Sequence, residues 1–161
     1  HLSIRRQRQM CIRDSLGSMT IAIVQAFIII AIAAAMGVKI SSPSGFLLSI
    51  LFMVLTCATF TGLGLIIATK LADTEGFMSI MNLVILPLFF LSGAFFPVEG
   101  MPAGIRQVMY INPLTYGVDG LRGTLVGGAA FPLWLDFVIL SVLSIILAGL
   151  GAYFFSKMEA D

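Results

Sequence analysis

Residues 91–122 read LSGAFFPVEGMPAGIRQVMYINPLTYGVDGLR, and two segments apolar enough to cross a membrane flank them. Pro102 and Pro113 each stand where a first helical turn can begin, and Asn112 is a suitable N-cap for the second helix. Apolar residues then recur at helical spacing, with polar residues on the other side of the helix. The apolar positions are Leu114, Val118, Leu121 and Leu125, and the polar positions are Thr115, Asp119 and Arg122. The stretch therefore predicts two short helices that each bury one face at the membrane boundary.

The composition is that of a membrane protein. Hydrophobic residues make up 59% of the chain and charged residues 11%, whereas soluble domains carry about 25% charged residues. The mean hydropathy is +1.07. Four intervals of 24, 30, 23 and 20 residues contain no Asp, Glu, Lys or Arg, namely 15–38, 40–69, 76–98 and 137–156. Since about 20 apolar residues cross a hydrocarbon core of roughly 30 Å, the sequence predicts an all-α membrane protein with four transmembrane helices.

Clusters of Pro, Gly and polar residues set the boundaries of these helices. We expect transmembrane spans at 17–37, 46–69, 77–95 and 132–156. Residues 96–131, between the third and fourth spans, are predicted to form a short re-entrant helical hairpin. Residues 16–161 then form one transmembrane domain, with both of its ends on the same side of the membrane.

The first fifteen residues, HLSIRRQRQMCIRDS, allow two interpretations. They resemble the translated adaptor or assembly scar that occurs at the ends of metagenome-derived proteins, in which case the true beginning of the protein is missing. The alternative is a basic juxtamembrane segment that contacts anionic lipid. With this segment counted, the basic residues favour cytoplasmic termini, and without it the positive-inside rule does not decide the orientation. We leave residues 1–15 out of the fold prediction.

Motifs for catalysis are absent from the sequence. It contains no G-x-x-x-x-G-K-[ST] phosphate loop, no H-E-x-x-H and no G-x-S-x-G. Cys11 and Cys57 provide neither a disulfide framework nor a metal-binding spacing. The net charge of +1 gives no reason to expect nucleic-acid binding. We therefore predict a protein that is not an enzyme and that binds no metal or cofactor directly.

A few polar or helix-breaking residues fall inside the predicted spans or close to their ends. Pro87 favours a kink in the third span and Asn82 lies one turn earlier, which indicates either a flexible pathway helix or a kink that neighbouring helices satisfy. Asp136, near the start of the fourth span, is either an interfacial carboxylate or an intramembrane proton site. Asp119 and Arg122 are three residues apart and can form an ion pair on one helix.

Small residues recur every four positions in three of the spans, beginning with Ala33 and Gly37 in the first. The others are Ala58 and Gly62 in the second span and Ser144, Ala148, Ala152 and Ser156 in the fourth. Such stripes let neighbouring helices approach closely. We interpret them as packing surfaces within one helix bundle, and the alternative is a dedicated dimer interface.

The order of motifs near the end of the chain resembles a known family. LSGAFFP at 91–97, Met101-Pro102, INPLTY at 111–116, a Gly-rich exit and a last span are similar to the C-terminal half of an ATP-binding cassette permease of type 2 (ABC-2), in the branch that exports drugs, antibiotics and polysaccharides. The resemblance implies six transmembrane helices, cytoplasmic termini and two short helices that dip in from the outer face before the last span. The four spans would be the third to the sixth, in a bacterial or archaeal plasma membrane.

The family likeness also implies partners and functional positions. The partners would be a second permease copy or homologue, membrane lipid and a separate ATP-binding cassette ATPase that holds ATP and Mg²⁺. The outer gate would include Gly93, Phe96, Pro97, Asn112, Pro113 and Tyr116. The pathway helix would include Asn82 and Pro87. Four aromatic residues would either line an apolar exit or anchor a span end, namely Phe89, Phe90, Phe95 and Phe96.

The resemblance predicts the permease subunit of an ATP-driven exporter for a drug-like, lipid-linked or polysaccharide substrate. One alternative is a membrane assembly or anchoring subunit that does not transport. Another is an ion-coupled secondary transporter that uses Asp136 and Asn82, although the spans contain few ionisable groups.

Overall fold

A computed structural model of the chain describes residues 17, 20–32, 34–35, 37, 42–71, 74–96 and 100–158. Over these residues the chain is all-helical, with six helices and no strand. The helices are α1 (Thr20–Ile32), α2 (Pro43–Ala68), α3 (Thr74–Phe90), α4 (Ala103–Ile111), α5 (Pro113–Leu125) and α6 (Leu133–Met158). Residues 1–39, which include α1, form one unit, and residues 40–161, which include the other five helices, form a second.

Two of the helices are long and apolar enough to cross a membrane. Both α2 and α6 contain 26 residues, which corresponds to roughly 39 Å of helix at 1.5 Å per residue. Helix α3 contains 17 residues, and the described part of α1 runs only from Thr20 to Ile32, so each is shorter than the about 20 residues that a perpendicular span needs. The prediction of an all-α protein with membrane-length helices is confirmed for the second and fourth predicted spans. The count of four spans stays a prediction.

The third predicted span, 77–95, ends earlier in the structure than the sequence indicated. Helix α3 stops at Phe90, and Gly93 follows with a φ of +81°, a left-handed conformation that commonly terminates helices. Pro87 lies inside α3, where it has no N–H to donate to the carbonyl four residues before it. The predicted hairpin region 96–131 contains two helices, α4 and α5, which only Asn112 separates.

Helices α2, α5 and α6 pack together, with α2 against α6 along its length and α5 against both. Their shared core is formed by Phe52 of α2, Tyr116 of α5 and Leu140 of α6. A Cβ atom added at Gly120 would lie 2.5 Å from the ring of Phe52, so only glycine lets α5 approach α2 this closely. The core thus forms where the Phe52 side chain of α2 packs against the surface of α5 at Gly120, which has no side chain.

The close contact between α2 and α6 depends on Gly62. A Cβ atom added there would lie 2.7 Å from both the Ala148 nitrogen and the Leu147 carbonyl carbon, which are backbone atoms of α6. The prediction that Gly62 lets a neighbouring helix approach is confirmed. The two long helices are therefore in contact through their main chains at this level of the bundle.

The stripe predicted for α6 differs from the face that is packed. Ser144 is buried as predicted, but Ala148, Ala152 and Ser156 are exposed, and Leu140 and Gly151 are buried instead. The reason is geometric: an α-helix has 3.6 residues per turn, so residues four apart rotate by about 40° at each step away from a straight line of contact. Alternating spacings of three and four follow the contact.

Candidate functional site

Asn112 joins α4, α5 and the end of α3. Its Oδ1 accepts a hydrogen bond from the Leu114 N–H at 3.0 Å, so the predicted N-cap and the predicted start of α5 at Pro113 are confirmed. Its Nδ2 donates to the Leu88 carbonyl at 2.6 Å. The last four carbonyls of a helix have no partner within it, and Leu88 is one of these in α3. Asn112, which is 3% exposed, thus provides a donor to the end of α3 and an acceptor to the start of α5.

Two further residues of α5 bind the segment after α3. The Thr115 hydroxyl donates to the Leu91 carbonyl at 3.3 Å, and the Arg122 Nη2 donates to the Gly93 carbonyl at 2.9 Å. Together with Asn112 they form a row of donors on one side of α5, which we call the α3–α5 tether. Because each bond ends on a backbone carbonyl, the tether fixes the path of the chain at the point where α3 ends.

Asp119 binds the segment that leads into α6. Its Oδ1 accepts from the Ala130 N–H and its Oδ2 from the Phe131 N–H, both at 2.8 Å, and the side chain is 4% exposed. The predicted Asp119–Arg122 ion pair is therefore wrong, because the carboxylate is engaged by two backbone amides and Arg122 reaches Gly93 instead. Helix α5 is thus hydrogen-bonded both to the exit of α3 and to the entry of α6.

A cluster of aromatic residues connects α4 to α5 and to the segment that leads into α6. The Tyr116 hydroxyl donates to the Tyr110 carbonyl in the last turn of α4. The Phe131 ring contacts both tyrosines, with centroid distances of 5.5 Å to Tyr110 and 5.8 Å to Tyr116. Tyr116 is buried and belongs to the core, so the α4–α5 pair is anchored in the helix bundle.

Asp136, in the first turn of α6, is completely buried, and neither of its carboxylate oxygens has a hydrogen-bond partner among the described residues. The negative charge of Asp119 disfavours a second negative charge on Asp136. The structure thus places this carboxylate inside the helix bundle rather than on the exposed side of the helix. Burial of a charged group without partners is unfavourable, so a proton or a cation at this position would stabilise it.

The structure brings most of the predicted gate residues together. Gly93, Asn112, Pro113 and Tyr116 lie where α3 ends and α5 begins. Phe96, three residues after Gly93 in the sequence, is exposed. Pro97 lies outside the described residues. The pathway candidates Asn82 and Pro87 are both exposed on α3. Their roles, and those of the gate residues, stay predictions.

The aromatic residues at the end of α3 form a group of their own. The Phe95 ring lies 5.3 Å from the Phe89 ring, edge to face, and 5.6 Å from the Phe90 ring, stacked. All three side chains are exposed in this chain, as is Phe96. This surface is compatible with either predicted role, an apolar exit or an anchor at the membrane interface.

Sequence reasoning missed Thr115, Asp119 and Arg122 as structural determinants. They were expected on the side of α5 opposite to its buried face. The available signal was their spacing: together with Asn112 they recur at intervals of three, four and three, which places all four on one face of the helix. Such a polar face in an otherwise apolar region faces protein rather than lipid.

Variants of Asn112 separate its two roles. We expect Asn112→Ala to lower the free energy of unfolding by about 2 kcal/mol, since it removes both the cap and the bond to Leu88. Asn112→Ser keeps a capping oxygen but is too short to reach Leu88, and its loss should be about half as large. Titration of the detergent-solubilised chain with SDS, followed by far-UV circular dichroism, measures both. Wild-type stability of Asn112→Ala would contradict this account.

Comparison with known proteins agrees with the motif resemblance. Residues 6–126 match the sequence model of the family described as ABC-2 type transporter, which is more than half of the 161 residues. Nodulation protein J of Rhizobium leguminosarum bv. viciae is 34% identical over 73 residues, and Nodulation protein J of Rhizobium meliloti (strain 1021) is 37% identical over 73 residues. In both cases the match covers 45% of this chain and 28% of the relative.

A third relative comes from Escherichia coli (strain K12). The protein named "Probable multidrug ABC transporter permease YbhS" is 36% identical over 84 residues, which cover 52% of this chain and 21% of the relative. This chain therefore matches less than a third of the length of each of these relatives. Since the family's sequence model extends over most of the chain, the chain belongs to the ABC-2 type transporter family.

Proposed function

We propose that the chain is part of the permease subunit of an ATP-driven ABC exporter in the plasma membrane of a bacterium or archaeon. Family membership supports this, and one of its relatives is named "Probable multidrug ABC transporter permease YbhS". The substrate class is drug-like, lipid-linked or polysaccharide. The chain itself carries out no ATP hydrolysis, since the sequence contains no phosphate loop.

The proposal places α1, α2, α3 and α6 across the membrane and the α4–α5 pair as a re-entrant hairpin at the outer face. The N- and C-terminal ends then lie in the cytoplasm. The proposal is supported by the way α5 buries its polar face against α2, α6 and the end of α3, while its apolar stripe is only half-buried. Polar residues that face protein and apolar residues available to lipid are the pattern expected at membrane depth.

The observation that carries the proposal is the attachment of α5 to both neighbouring segments of the chain, the exit of α3 and the entry of α6. The α3–α5 tether holds the exit of α3, and Asp119 holds the entry of α6. A displacement of either helix is therefore transmitted to the hairpin. This is the coupling that an outer gate needs if it is to open when the spans move.

The mechanism requires partners that supply the energy. ATP and Mg²⁺ bind to two cassette ATPase subunits, and their closure shifts a dimer of permeases from an inward-open or occluded state to outward release. No cofactor is bound directly by this chain. Gly93, Asn112, Pro113 and Tyr116, with Phe96 and Pro97, form the outer gate in this mechanism, and Asn82 and Pro87 belong to a pathway helix that bends.

Two other functions make different demands on the structure. An anchoring subunit has no use for a hairpin that is hydrogen-bonded to two spans. An ion-coupled transporter would use Asp136 together with Asn82, and the buried, unpartnered carboxylate favours an ion or proton at that position. In this chain, however, Asn82 is exposed on α3 while Asp136 is enclosed in the bundle, so the two do not form a joint site.

A single-cysteine labelling experiment separates these functions. Ile111 ends α4 and is 81% exposed, so Ile111→Cys, in a background with Cys11 and Cys57 changed to serine, is an accessible reporter beside Asn112. The variant is expressed in cells within the intact protein, together with its cassette ATPase. A membrane-impermeant maleimide added outside is expected to label it, several-fold faster with an active ATPase than with one whose phosphate-loop lysine is replaced.

The control reporter is Glu75→Cys, on the exposed first turn of α3, which the proposed topology places in the cytoplasm. It should react only after the cells are permeabilised. Labelling of Ile111→Cys from the cytoplasm would overturn the topology. A labelling rate that is independent of the ATPase would favour an anchor, and a rate that follows the proton or sodium gradient instead would favour ion-coupled transport.

A further inference from the structure

Asp136 is a buried acid to which the proposed export mechanism gives no role. It lies in the first turn of α6, its side chain is completely buried, and neither carboxylate oxygen has a hydrogen-bond partner among the described residues. Leu140, four residues later on the same face of α6, belongs to the core with Phe52 and Tyr116. Asp136 therefore faces the packed interior of the bundle, where an ionised carboxylate without partners is strongly unfavourable.

The buried hydroxyl groups of α2, α5 and α6 supply no donor to Asp136. Five of them donate to a main-chain carbonyl of their own helix, three or four residues earlier, namely those of Ser49, Thr56, Thr59, Thr124 and Ser144. The Tyr116 hydroxyl donates to the Tyr110 carbonyl, and the Thr115 hydroxyl donates to the Leu91 carbonyl. The donor that Asp136 lacks must therefore come from outside this set of side chains.

The charges around Asp136 are few. Besides Asp136, the titratable side chains of α6 and of the two helices packed against it are Cys57, Tyr116, Asp119, Arg122, Tyr153 and Lys157. Arg122 donates to the Gly93 carbonyl at the exit of α3, and Lys157 lies at the opposite end of α6. The charge that acts on Asp136 is the negative charge of Asp119.

The two carboxyl groups are close enough for one to hydrogen-bond the other. Two ionised carboxylates cannot do so because each has only acceptor atoms, whereas a protonated carboxyl group has an O–H to donate. The Asp119 oxygens already accept from the amides of Ala130 and Phe131 at 2.8 Å, and such bonds favour the charged form. Asp136 has no comparable donors, so it is the member of the pair that takes the proton.

We propose that Asp136 holds a resident proton and donates it in a hydrogen bond to Asp119, so that the pair carries a single negative charge. Two carboxylates that share one buried site cannot easily both be ionised. The shared proton joins α5 to α6 directly, next to the bonds from Asp119 to the segment before α6. The inference concerns how these two helices are attached, and it does not depend on whether the chain exports a substrate.

A metal cation suits this position less well than a proton. Ca²⁺ takes about 6–8 oxygen ligands, and Mg²⁺ requires a nearly ideal octahedral set. Among the residues that the structure describes, no group of three or more His, Cys, Asp or Glu side chains could hold a metal ion. A proton needs only one acceptor, and Asp119 provides it.

Infrared spectroscopy of the full chain in dodecyl maltoside, a detergent without carbonyl groups, tests the proposal. A protonated carboxylic acid has a C=O stretching band separate from the bands of a carboxylate. Ordinary Asp and Glu side chains, with pKa values of about 4, contribute no such band at neutral pH. We expect wild type to show one acid band that Asp136→Asn removes. The exposed acid Glu75 provides the control, and Glu75→Gln should retain the band.

A second variant tests the pairing with Asp119. Asp119→Asn removes the neighbouring negative charge, so Asp136 should release its proton more readily. The acid band of Asp136 is then expected to disappear at a lower pH than in wild type. This measurement remains available if Asp136→Asn does not fold, and an acid band with the same pH dependence in wild type and Asp119→Asn would contradict the pairing.

The resident proton also makes stability depend on pH. The folded chain binds one proton more than the unfolded chain, in which Asp136 ionises at about pH 4, so stability falls as the pH rises. In SDS titrations between about pH 5 and 7, the folding equilibrium constant of wild type should decrease by up to about tenfold per pH unit relative to that of Asp136→Asn. Glu75→Gln should behave like wild type.

The alternatives give different results. If wild type shows no acid band that Asp136→Asn removes, Asp136 is ionised and bound to water or a cation, and the proposal fails. Equal pH dependence of stability in wild type and Asp136→Asn would also overturn it, as would a stability that follows the concentration of Na⁺, K⁺ or Mg²⁺ in place of pH. Since none of these measurements involves the ATPase or transport, their failure leaves the proposed function standing.

Discussion

Replacing Asp119 with alanine is expected to lower the free energy of unfolding by about 3 kcal/mol, because two backbone N–H groups would lose their acceptors. The carboxylate accepts from Ala130 and Phe131 at 2.8 Å each and is itself 4% exposed, so water cannot easily take its place. Titration of the detergent-solubilised chain with SDS, followed by far-UV circular dichroism, measures the change. Hydrogen exchange at the Ala130 and Phe131 amides should accelerate in the variant.

The matched control is Glu75→Ala. Glu75 is an exposed acid in the first turn of α3, where the helix dipole favours it by only about 0.3–1 kcal/mol. Asp119→Asn retains one acceptor oxygen and turns an NH₂ group toward the other amide, so its stability should fall between those of wild type and Asp119→Ala. If Asp119→Ala and Glu75→Ala lose the same stability, the two amides do not depend on the carboxylate, and α5 is not attached to α6 in this way.

The local signals in the sequence predicted helix boundaries well. Asn112 caps α5, Pro113 begins it, and α2 and α6 lie within a few residues of the predicted second and fourth spans. These features depend on backbone chemistry within one turn of helix, which the sequence records directly. The end of α3 was placed five residues too late because apolar residues continue past Phe90, while the turn at Gly93 is a matter of backbone conformation.

The buried face of α5 was predicted from the wrong rule. Its apolar residues were expected to pack inward and its polar residues outward, as in a helix at the surface of a soluble protein. In the structure Thr115, Asp119 and Thr124 are buried, whereas Leu114 and Val118 are only half-buried. Apolar side chains gain little by leaving lipid for protein, so in a membrane small and polar residues mark the contact instead.

The partners of these polar residues could not be read from the sequence for a further reason. The α3–α5 tether ends on the carbonyls of Leu88, Leu91 and Gly93, and every residue has a carbonyl. Side chains therefore reveal that a donor exists but not which backbone group accepts from it. Only the packing of the helices decides this, which is also why the spacing of Asp119 and Arg122 suggested an ion pair that does not form.

Because α2 and α6 are in contact through their main chains at Gly62, the addition of a single methyl group there should have a large effect on stability. Gly62→Ala is expected to lower the free energy of unfolding by about 1–3 kcal/mol, because the new methyl group would meet the main chain of α6 rather than a side chain that can rotate away. The added Cβ would lie 2.7 Å from the Leu147 carbonyl carbon and the Ala148 nitrogen, so α2 and α6 would have to separate. SDS titration again measures the loss.

Gly64→Ala is the matched control on the same helix. Among the described residues, only Met81 Cε would lie within 4 Å of its Cβ, at 3.9 Å, which is an ordinary contact. Replacement of a helical glycine by alanine restricts the unfolded chain, so this variant should be stabilised by about 0.5–1 kcal/mol. The two variants thus differ in sign although they lie two residues apart. If both were stabilised, the backbone contact between α2 and α6 would not hold the bundle together, and α5 would lack the rigid support from which it holds the ends of α3 and α6.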